Sequence, residues 1–316
     1  MNKKVFGIIG VILVLLVGGV FVFKGNNSEA EEIQVEATKK IEHTLGEATI
    51  KGVPEKAVVL DYGALDALDA LGIDIVGLPK DGALPEYLNK FSDGKYASVG
   101  SIKEPNLEAI NELKPDVIFM AGRMEDYYDQ LSEIAPTIFV DSDGANYIES
   151  FTKNMKIFGE VFDAEDKADK LIDNVNKEVD KVSKKIKTLD AKASLVMVNG
   201  RNISAFGAKS RFGLLFNELG FPEVDENLEE STHGQEVSFE YLVEANPQYL
   251  FVVDRNSIVG NNEVTVEEVI ENELVKKTDA YKNGHIIYLD SVNWYTVSGG
   301  YTSTINMIDE VLNSIK

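Results

Sequence analysis

The 316-residue sequence contains no cysteine, and this absence excludes several kinds of site. Without cysteine the chain has no disulfide framework, no thiolate metal centre and no cysteine nucleophile. Histidine is almost as scarce, with 3 residues that lie far apart along the chain. A zinc site built from histidines alone would need these residues to converge, so a zinc centre is not expected.

The sequence also lacks the short motifs that mark common enzyme classes. It has no Gly-x4-Gly-Lys-Ser/Thr phosphate loop and no Gly-x-Gly-x-x-Gly after a strand. The Gly-x-Ser-x-Gly nucleophile elbow and the His-Glu-x-x-His zinc motif are missing as well. With 53 acidic residues, no pair of carboxylates can be singled out as a general acid and base. We therefore do not expect an enzyme.

Positive charge is scarce too. The chain has 31 Lys and Arg residues against 53 Asp and Glu residues, for a net charge of −22. A nucleic-acid binder needs a basic face, so no nucleic acid is expected as a partner. Any anion that this chain binds must be held by a local cluster of cations, against the field of the whole molecule.

One long apolar segment stands at the N-terminus. An uncharged run from Val5 to Phe23 follows two lysines, and as a helix it would span roughly 28 Å, close to the thickness of a bilayer core. Basic residues before the run and acidic residues after it favour export of the remainder. We expect residues 1–24 to form a signal anchor, followed by a polar tether over 25–43. The alternative is a signal peptide cleaved near Ser28 and Ala30.

Beyond the tether, short apolar runs alternate with amphipathic stretches. Runs suited to buried strands occur at 57–61, 73–78, 116–120 and 137–140, and again at 193–198, 249–253 and 286–289. Strands that alternate with helices favour parallel βα units. The predicted fold is therefore α/β, with two Rossmann-like βα lobes joined by a long α-helix.

The apolar pattern divides the rest of the chain into three parts. We assign residues 44–146 to the N-terminal lobe, 147–190 to the bridging helical segment and 191–316 to the C-terminal lobe. Apolar residues from Ala164 to Lys187 recur every three or four positions, which predicts a helix about 36 Å long. A helix between lobes restricts their relative motion, so only modest closure on a ligand is expected.

Three arginines stand where a ligand cleft would form. Arg123 and Arg255 each follow a predicted strand, and Arg211 lies in a loop bracketed by glycines. Ligands of open α/β sheets bind outside the carboxyl ends of the strands, so these arginines predict a cleft for an anion. The alternative is that they are ordinary surface arginines, paired with neighbours such as Glu125 or Asp254.

Two further loop residues have side chains suited to ferric iron. His233 stands in a small polar loop, and Tyr295 stands beside the chain's single tryptophan. Ferric iron favours oxygen donors and accepts imidazole. Taken alone, a loop histidine is more often a hydrogen-bonded surface residue and such a tyrosine a packed loop anchor. The spacing of the two residues does not show that they meet.

The segments around these residues resemble one family. The stretches ISAFG (203–207), SRFG (210–213), STHGQ (231–235), FEYL (239–242) and FVVDR (251–255) are similar to the catecholate-siderophore binding proteins of ABC importers. Members of that family bind petrobactin and linear bis-catecholate iron complexes. The resemblance covers roughly Thr44 to Lys316 and is densest in the C-terminal lobe. It implies the helix-bridged, class III substrate-binding-protein fold.

The resemblance also implies a function and a site. Such a protein captures a ferric catecholate siderophore between its lobes and delivers it to an ABC permease in the cytoplasmic membrane; no cofactor is permanently bound. The family's three cleft arginines, which pair with catecholate oxygens, fall on Arg123, Arg211 and Arg255. Some members add a histidine and a tyrosine that ligate Fe(III) directly when the siderophore supplies only four donors. These fall on His233 and Tyr295.

The missing cysteine departs from the family pattern. Gram-positive members are usually lipoproteins, attached through a lipidated cysteine, and this chain has none. We therefore expect a monomer held by its N-terminal helix at the outer face of the cytoplasmic membrane, with a Gram-negative periplasm as the alternative. For the cargo, haem, cobalamin or another siderophore class are alternatives on the same fold. A surface hydrolase and an adhesin or sensor domain are the alternatives outside it.

Overall fold

The structure, a computed structural model, describes residues 37–82, 84–140, 142–229, 231, 234–260 and 263–315. The predicted signal anchor over 1–24 and most of the predicted tether lie outside these residues. Within the described ranges, no helix is long and apolar enough to cross a membrane.

The described chain begins with an antiparallel hairpin of strands β1 (Thr38–His43) and β2 (Gly46–Lys51). Ile41 and His43 of the first strand and Ile50 of the second are buried, as alternate residues are when a strand has one covered face. The predicted tether therefore ends earlier than expected. The last six residues of the predicted tether, 38–43, form β1, and three of them are charged. Because the strand is half exposed and short, the alternation of apolar and polar residues is not visible in the sequence.

The N-terminal lobe is built on five short parallel strands with helices between them. In chain order these elements are β3 (Ala57–Val59), α1 (Tyr62–Leu71), β4 (Gly77–Leu78), β5 (Ala97–Ser98), α2 (Leu107–Leu113), β6 (Val117–Met120), α3 (Tyr128–Ile134) and β7 (Thr137–Phe139). The strand order is β5-β4-β3-β6-β7. Every residue of β3, β6 and β7 is buried, as is usual for parallel strands covered on both faces.

Two helices follow this sheet, α4 (Tyr147–Phe162) and α5 (Glu165–Ile186). The chain turns between them at Asp163, whose φ of 52° is left-handed and ends the first helix. The predicted bridging segment thus contains a 16-residue and a 22-residue helix. The periodic apolar face predicted for the second helix is buried: Ala168, Ile172, Val175, Val179, Val182 and Ile186.

The C-terminal lobe holds a second five-stranded sheet. Its elements are β8 (Ala193–Asn199), β9 (Asn202–Phe206), β10 (Gln235–Val237), α6 (Phe239–Ala245), β11 (Tyr249–Asp254), α7 (Arg255–Val259), α8 (Val266–Ile270), α9 (Asp279–Lys282), β12 (Ile286–Leu289) and α10 (Tyr301–Ser314). The order is β10-β9-β8-β11-β12. The last helix, α10, packs against both α5 and α1, so the end of the chain returns to the N-terminal lobe.

This second sheet differs from the predicted parallel one. Strands β8, β11 and β12 are parallel, whereas β9 and β10 are added by antiparallel pairing. The turn between β8 and β9 consists of two residues, and Gly200 supplies its left-handed φ of 61°. The sequence pattern did not identify β9 and β10 because they are short and only partly covered.

Candidate functional site

A cleft of about 820 Å³ lies at the carboxyl ends of strands from both sheets. The N-terminal sheet contributes Asp61 after β3 and Arg123 after β6, and the C-terminal sheet contributes Asn199 at the end of β8 and Arg255 after β11. Open α/β sheets bind their ligands at this edge. The volume is suited to a small-molecule ligand.

The three predicted arginines all line this cleft. Arg123 and Arg211 both donate to the backbone carbonyl oxygen of Tyr295, over 3.1 and 3.0 Å. Arg255 donates to Asn199 Oδ1 over 2.7 Å. Each guanidinium has five N–H donors, so these bonds leave donors for a ligand. The structure thus brings the three arginines together, while their contact with a ligand stays a prediction.

Arg211 is held on two sides. Besides its bond to the carbonyl, its guanidinium carbon lies 4.1 Å from the centre of the Tyr295 ring and 5.5 Å from that of Phe212. Burial lowers the pKa of Arg211, and the Tyr295 side chain opposes that shift. Because a guanidinium stays charged in proteins, Arg211 is a fixed cation that stacks on an aromatic face.

Tyr295 stands in a π-helical turn, Val292–Thr296, after β12. Burial alone would raise the pKa of its phenol. The hydrogen bond with Arg255 and the positive charges of Arg211, Arg255 and Arg123 outweigh burial, and the pKa is lowered from its usual 10.0. These cations therefore favour the phenolate, which is the form that binds ferric iron.

Two charged residues of the cleft were missed by sequence reasoning. Asp61 caps α1 by accepting from Ala64 N over 3.0 Å, and its Oδ2 lies 3.9 Å from Arg123 Nη1. Burial raises the pKa of Asp61, against the charge of Arg123. Its place as the last residue of the predicted strand 57–61 could have revealed it. Lys103, a fourth cation of the cleft, lies in a loop after β5 and carries no such signal.

His233 lies outside the described residues, so its pairing with Tyr295 stays a prediction. Arg201, ten positions before Arg211, is exposed in the turn between β8 and β9 and is not among the described residues that line the cleft. In the described part of the chain, no three His, Asp or Glu side chains are grouped so that they could hold a metal ion. Of the charged side chains that line the described cleft, four are cations and one, Asp61, is acidic.

Comparison with known proteins agrees with this architecture. The sequence profile of the periplasmic binding protein family matches residues 58–292. The chain is 43% identical over 297 residues to the petrobactin-binding protein YclQ of Bacillus subtilis (strain 168), which covers 93% of this chain and 91% of YclQ. It is 33% identical over 277 residues to the ferric-anguibactin-binding protein FatB of Vibrio anguillarum, which covers 86% of each chain.

Solved structures show the same likeness in three dimensions. The crystal structure of YclQ matches with a TM-score of 0.85 at 42% identity, over 89% of this chain and 99% of YclQ. The periplasmic catecholate-siderophore binding protein VctP from Vibrio cholerae matches with a TM-score of 0.84 at 40% identity, over 88% and 100%. The resemblance and the class III fold predicted from the sequence are confirmed. The chain belongs to the periplasmic binding protein family, and it is a binding protein rather than an enzyme.

Proposed function

We propose that this protein is the extracytoplasmic substrate-binding protein of an ABC iron importer. It captures a ferric catecholate siderophore in the cleft between its lobes and delivers it to the permease. The observation that carries the proposal is the convergence of three arginines on one cleft in a chain of net charge −22. The two relatives named for petrobactin and for catecholate siderophores support this choice of cargo.

The charge of the cleft favours catecholates over other siderophores. A ferric tris-catecholate is an anion with three negative charges, and charge-assisted bonds from arginine offset that charge where water is excluded. Hydroxamate complexes are near neutral or cationic and gain little from the same groups. Arg123, Arg211, Arg255 and Lys103 together make the cleft cationic, against the field of the acidic chain.

Tyr295 and His233 are the proposed direct ligands for iron when the siderophore has four donors. Two bidentate catechols leave two positions of octahedral Fe(III) open, and a phenolate and an imidazole can fill them. The lowered pKa of Tyr295 supports this role. The iron arrives with its siderophore as cargo.

We also propose that the uncharged run from Val5 to Phe23 is retained and holds a monomer at the outer face of the cytoplasmic membrane. The absence of cysteine supports this proposal, since no lipid can be attached through a cysteine. An intact mass of the membrane-extracted protein near 34.8 kDa is the expected result. A mass shortened by the first 30 residues would show cleavage instead.

Titration of the apo protein with ferric bis- and tris-catecholates tests the cargo. Trp294, which is 2% exposed and precedes Tyr295, is the fluorescent reporter. We expect saturable quenching at micromolar ligand. Absence of quenching, together with binding of haem or cobalamin, would contradict the proposal.

Arginine variants sharpen the same test. Replacing Arg123, Arg211 or Arg255 singly by Gln removes a charge-assisted contact and should weaken binding about tenfold or more. Arg201→Gln is the matched control, because that arginine is exposed outside the cleft, and it should bind as the wild type does. An equal loss in the control would point to a general effect of charge.

A further inference from the structure

Asp66 is a buried carboxylate that the proposed binding chemistry does not use. It lies in α1 of the N-terminal lobe with 0% of its surface exposed. Its Oδ1 accepts from Thr302 N over 3.1 Å and its Oδ2 from Ser303 N over 2.7 Å. These amides belong to the first turn of α10, where a helix leaves its N–H groups unpaired. The N-terminal lobe therefore supplies the cap of the C-terminal helix.

The two segments approach each other closely at two glycines. A Cβ atom on Gly300, the residue before α10, would lie 2.2 Å from Asp66 Oδ2. A Cβ on Gly63 of α1 would lie 2.5 Å from the carbonyl oxygen of Ser298. Both glycines are required by close approach, so the segment before α10 is seated on α1 with little freedom.

A short chain of hydrogen bonds links Asp66 to the turn that carries Tyr295. Ser303, whose amide Asp66 holds, donates its hydroxyl to the carbonyl oxygen of Val297 over 2.8 Å. The amide of Val297 in turn donates to Val292 O over 3.0 Å, which closes the π-helical turn around Tyr295. The position of this turn is thus coupled to Asp66 through two intermediate residues.

Two tyrosines hold the same segment from the N-terminal side. Tyr87 donates its hydroxyl to Asn293 Oδ1 over 3.0 Å, and Tyr147 accepts from Gly299 N over 2.8 Å. Tyr147 begins α4, and that helix packs on the N-terminal sheet, with the rings of Phe158 and Phe119 5.1 Å apart. Contacts on both sides of Tyr295 therefore lead to the N-terminal lobe.

We propose that Asp66 is a positioning residue for the siderophore site. Asp66 holds the segment 292–303 against the N-terminal lobe. The ring of Tyr295 then stays against Arg211, and the backbone carbonyl of Tyr295 holds Arg123 and Arg211 together. Although Tyr295 follows a strand of the C-terminal sheet, it moves with the N-terminal lobe. This inference rests on the proposed function, since it takes Tyr295 as an iron ligand.

The test compares two ligands in matched variants. Asp66→Asn keeps the shape of the side chain, but its amide nitrogen donates and cannot accept from a backbone amide. Asp69→Asn is the control, because Asp69 is on the same helix, partly exposed, and paired with Lys90. Dissociation constants for a ferric bis-catecholate and a ferric tris-catecholate are measured by Trp294 fluorescence, in wild type, both variants, Tyr295→Phe and the double variant with Asp66→Asn.

The quantity compared is the dissociation constant of the ferric bis-catecholate divided by that of the ferric tris-catecholate. We expect this ratio to rise about tenfold in Asp66→Asn, because a displaced phenolate matters most where the siderophore leaves iron positions open. The ratio should stay at the wild-type value in Asp69→Asn. In the Tyr295→Phe background, Asp66→Asn should not change the ratio further. A merely structural role would weaken both complexes equally and leave the ratio unmoved.

An unmoved ratio in Asp66→Asn, or an equal rise in the control, overturns the inference. If Asp66→Asn does not fold, Tyr147→Phe decides by the same ratio, since it removes the acceptor for Gly299 N. Failure of the proposed function looks different: the wild type would bind neither ferric catecholate, and both proposals would be overturned together.

Discussion

At the scale of single residues, the affinity of the cleft depends on which groups hold its cations in place. Arg123 and Arg211 repel each other, yet both donate to the carbonyl oxygen of Tyr295, and Arg255 is oriented by Asn199. The backbone carbonyl and the amide oxygen fix the cations without cancelling their charge. Such fixed donors need little reorganisation when an anion arrives, and this preorganisation favours affinity.

Tyr295 should make siderophore binding depend on pH. Iron ligation requires the phenolate, so binding of a ferric bis-catecholate through Tyr295 releases a proton, and its affinity should rise with pH until the lowered pKa is passed. A ferric tris-catecholate, whose iron is already saturated, should show no such rise. Dissociation constants measured over a pH series for both complexes check this expectation.

The paired variant His233→Ala with Tyr295→Phe completes that experiment. It should abolish the pH dependence of bis-catecholate binding and lower the affinity for that complex about tenfold or more. The affinity for the tris-catecholate should change much less. Equal losses for the two complexes would show that neither side chain ligates iron.

At the scale of elements, the hairpin of β1 and β2 should respond to acid. His43 is buried and its ring meets that of Tyr128 edge-on, with centres 5.5 Å apart. Burial, reinforced by Lys153, lowers the pKa of His43 below its usual 6.5. Between the lowered pKa and 6.5 the unfolded chain binds the proton more readily than the folded chain does. The contribution of His43 to the free energy of unfolding is therefore full above pH 6.5 and falls as the pH drops from 6.5 to the lowered pKa.

His43→Gln should remove this part of the pH dependence. We expect the free energy of unfolding to fall between pH 7.5 and pH 5.5 in the wild type, and to fall less in the variant. Denaturant unfolding at the two pH values measures the difference. The same fall in both proteins would show that other groups titrate.

At the scale of the whole molecule, the lobes meet directly beside the cleft. Gly144 lies between β7 and α4, close to the loop of the C-terminal lobe that carries Arg211. A Cβ on Gly144 would be 2.3 Å from Arg211 Cα. Gly144→Ala should therefore destabilise the protein by about 1–3 kcal/mol, since backbone must move to relieve the contact. It should also weaken siderophore binding, because the displaced backbone carries Arg211.

Gly94→Ala is the matched control for that change. A Cβ on Gly94 meets nothing within 4 Å, so its stability and its affinity should match those of the wild type. Thermal unfolding and the fluorescence titration measure both properties. Equal stability of the Gly144 and Gly94 variants would show that the lobes do not need this contact.

Much of this architecture could be predicted from the sequence. The buried strands β6 and β11 are continuous apolar runs, and the apolar face of α5 repeats every three or four residues, so local periodicity is enough to find them. Arg123 and Arg255 were predicted as cleft residues because each follows such a strand. The family motifs then indicated the class III fold and the siderophore cargo.

The sequence by itself determined the fold class, the family and the cationic chemistry of the cleft, since these follow from patterns within a few residues of each other. Only the tertiary structure decided which groups meet. Arg123 bonds to a carbonyl 172 positions away, and Asp66 to amides 236 and 237 positions away. A backbone carbonyl or amide has the same chemistry at every position, so no pattern along the chain marks the one that packing brings to these side chains.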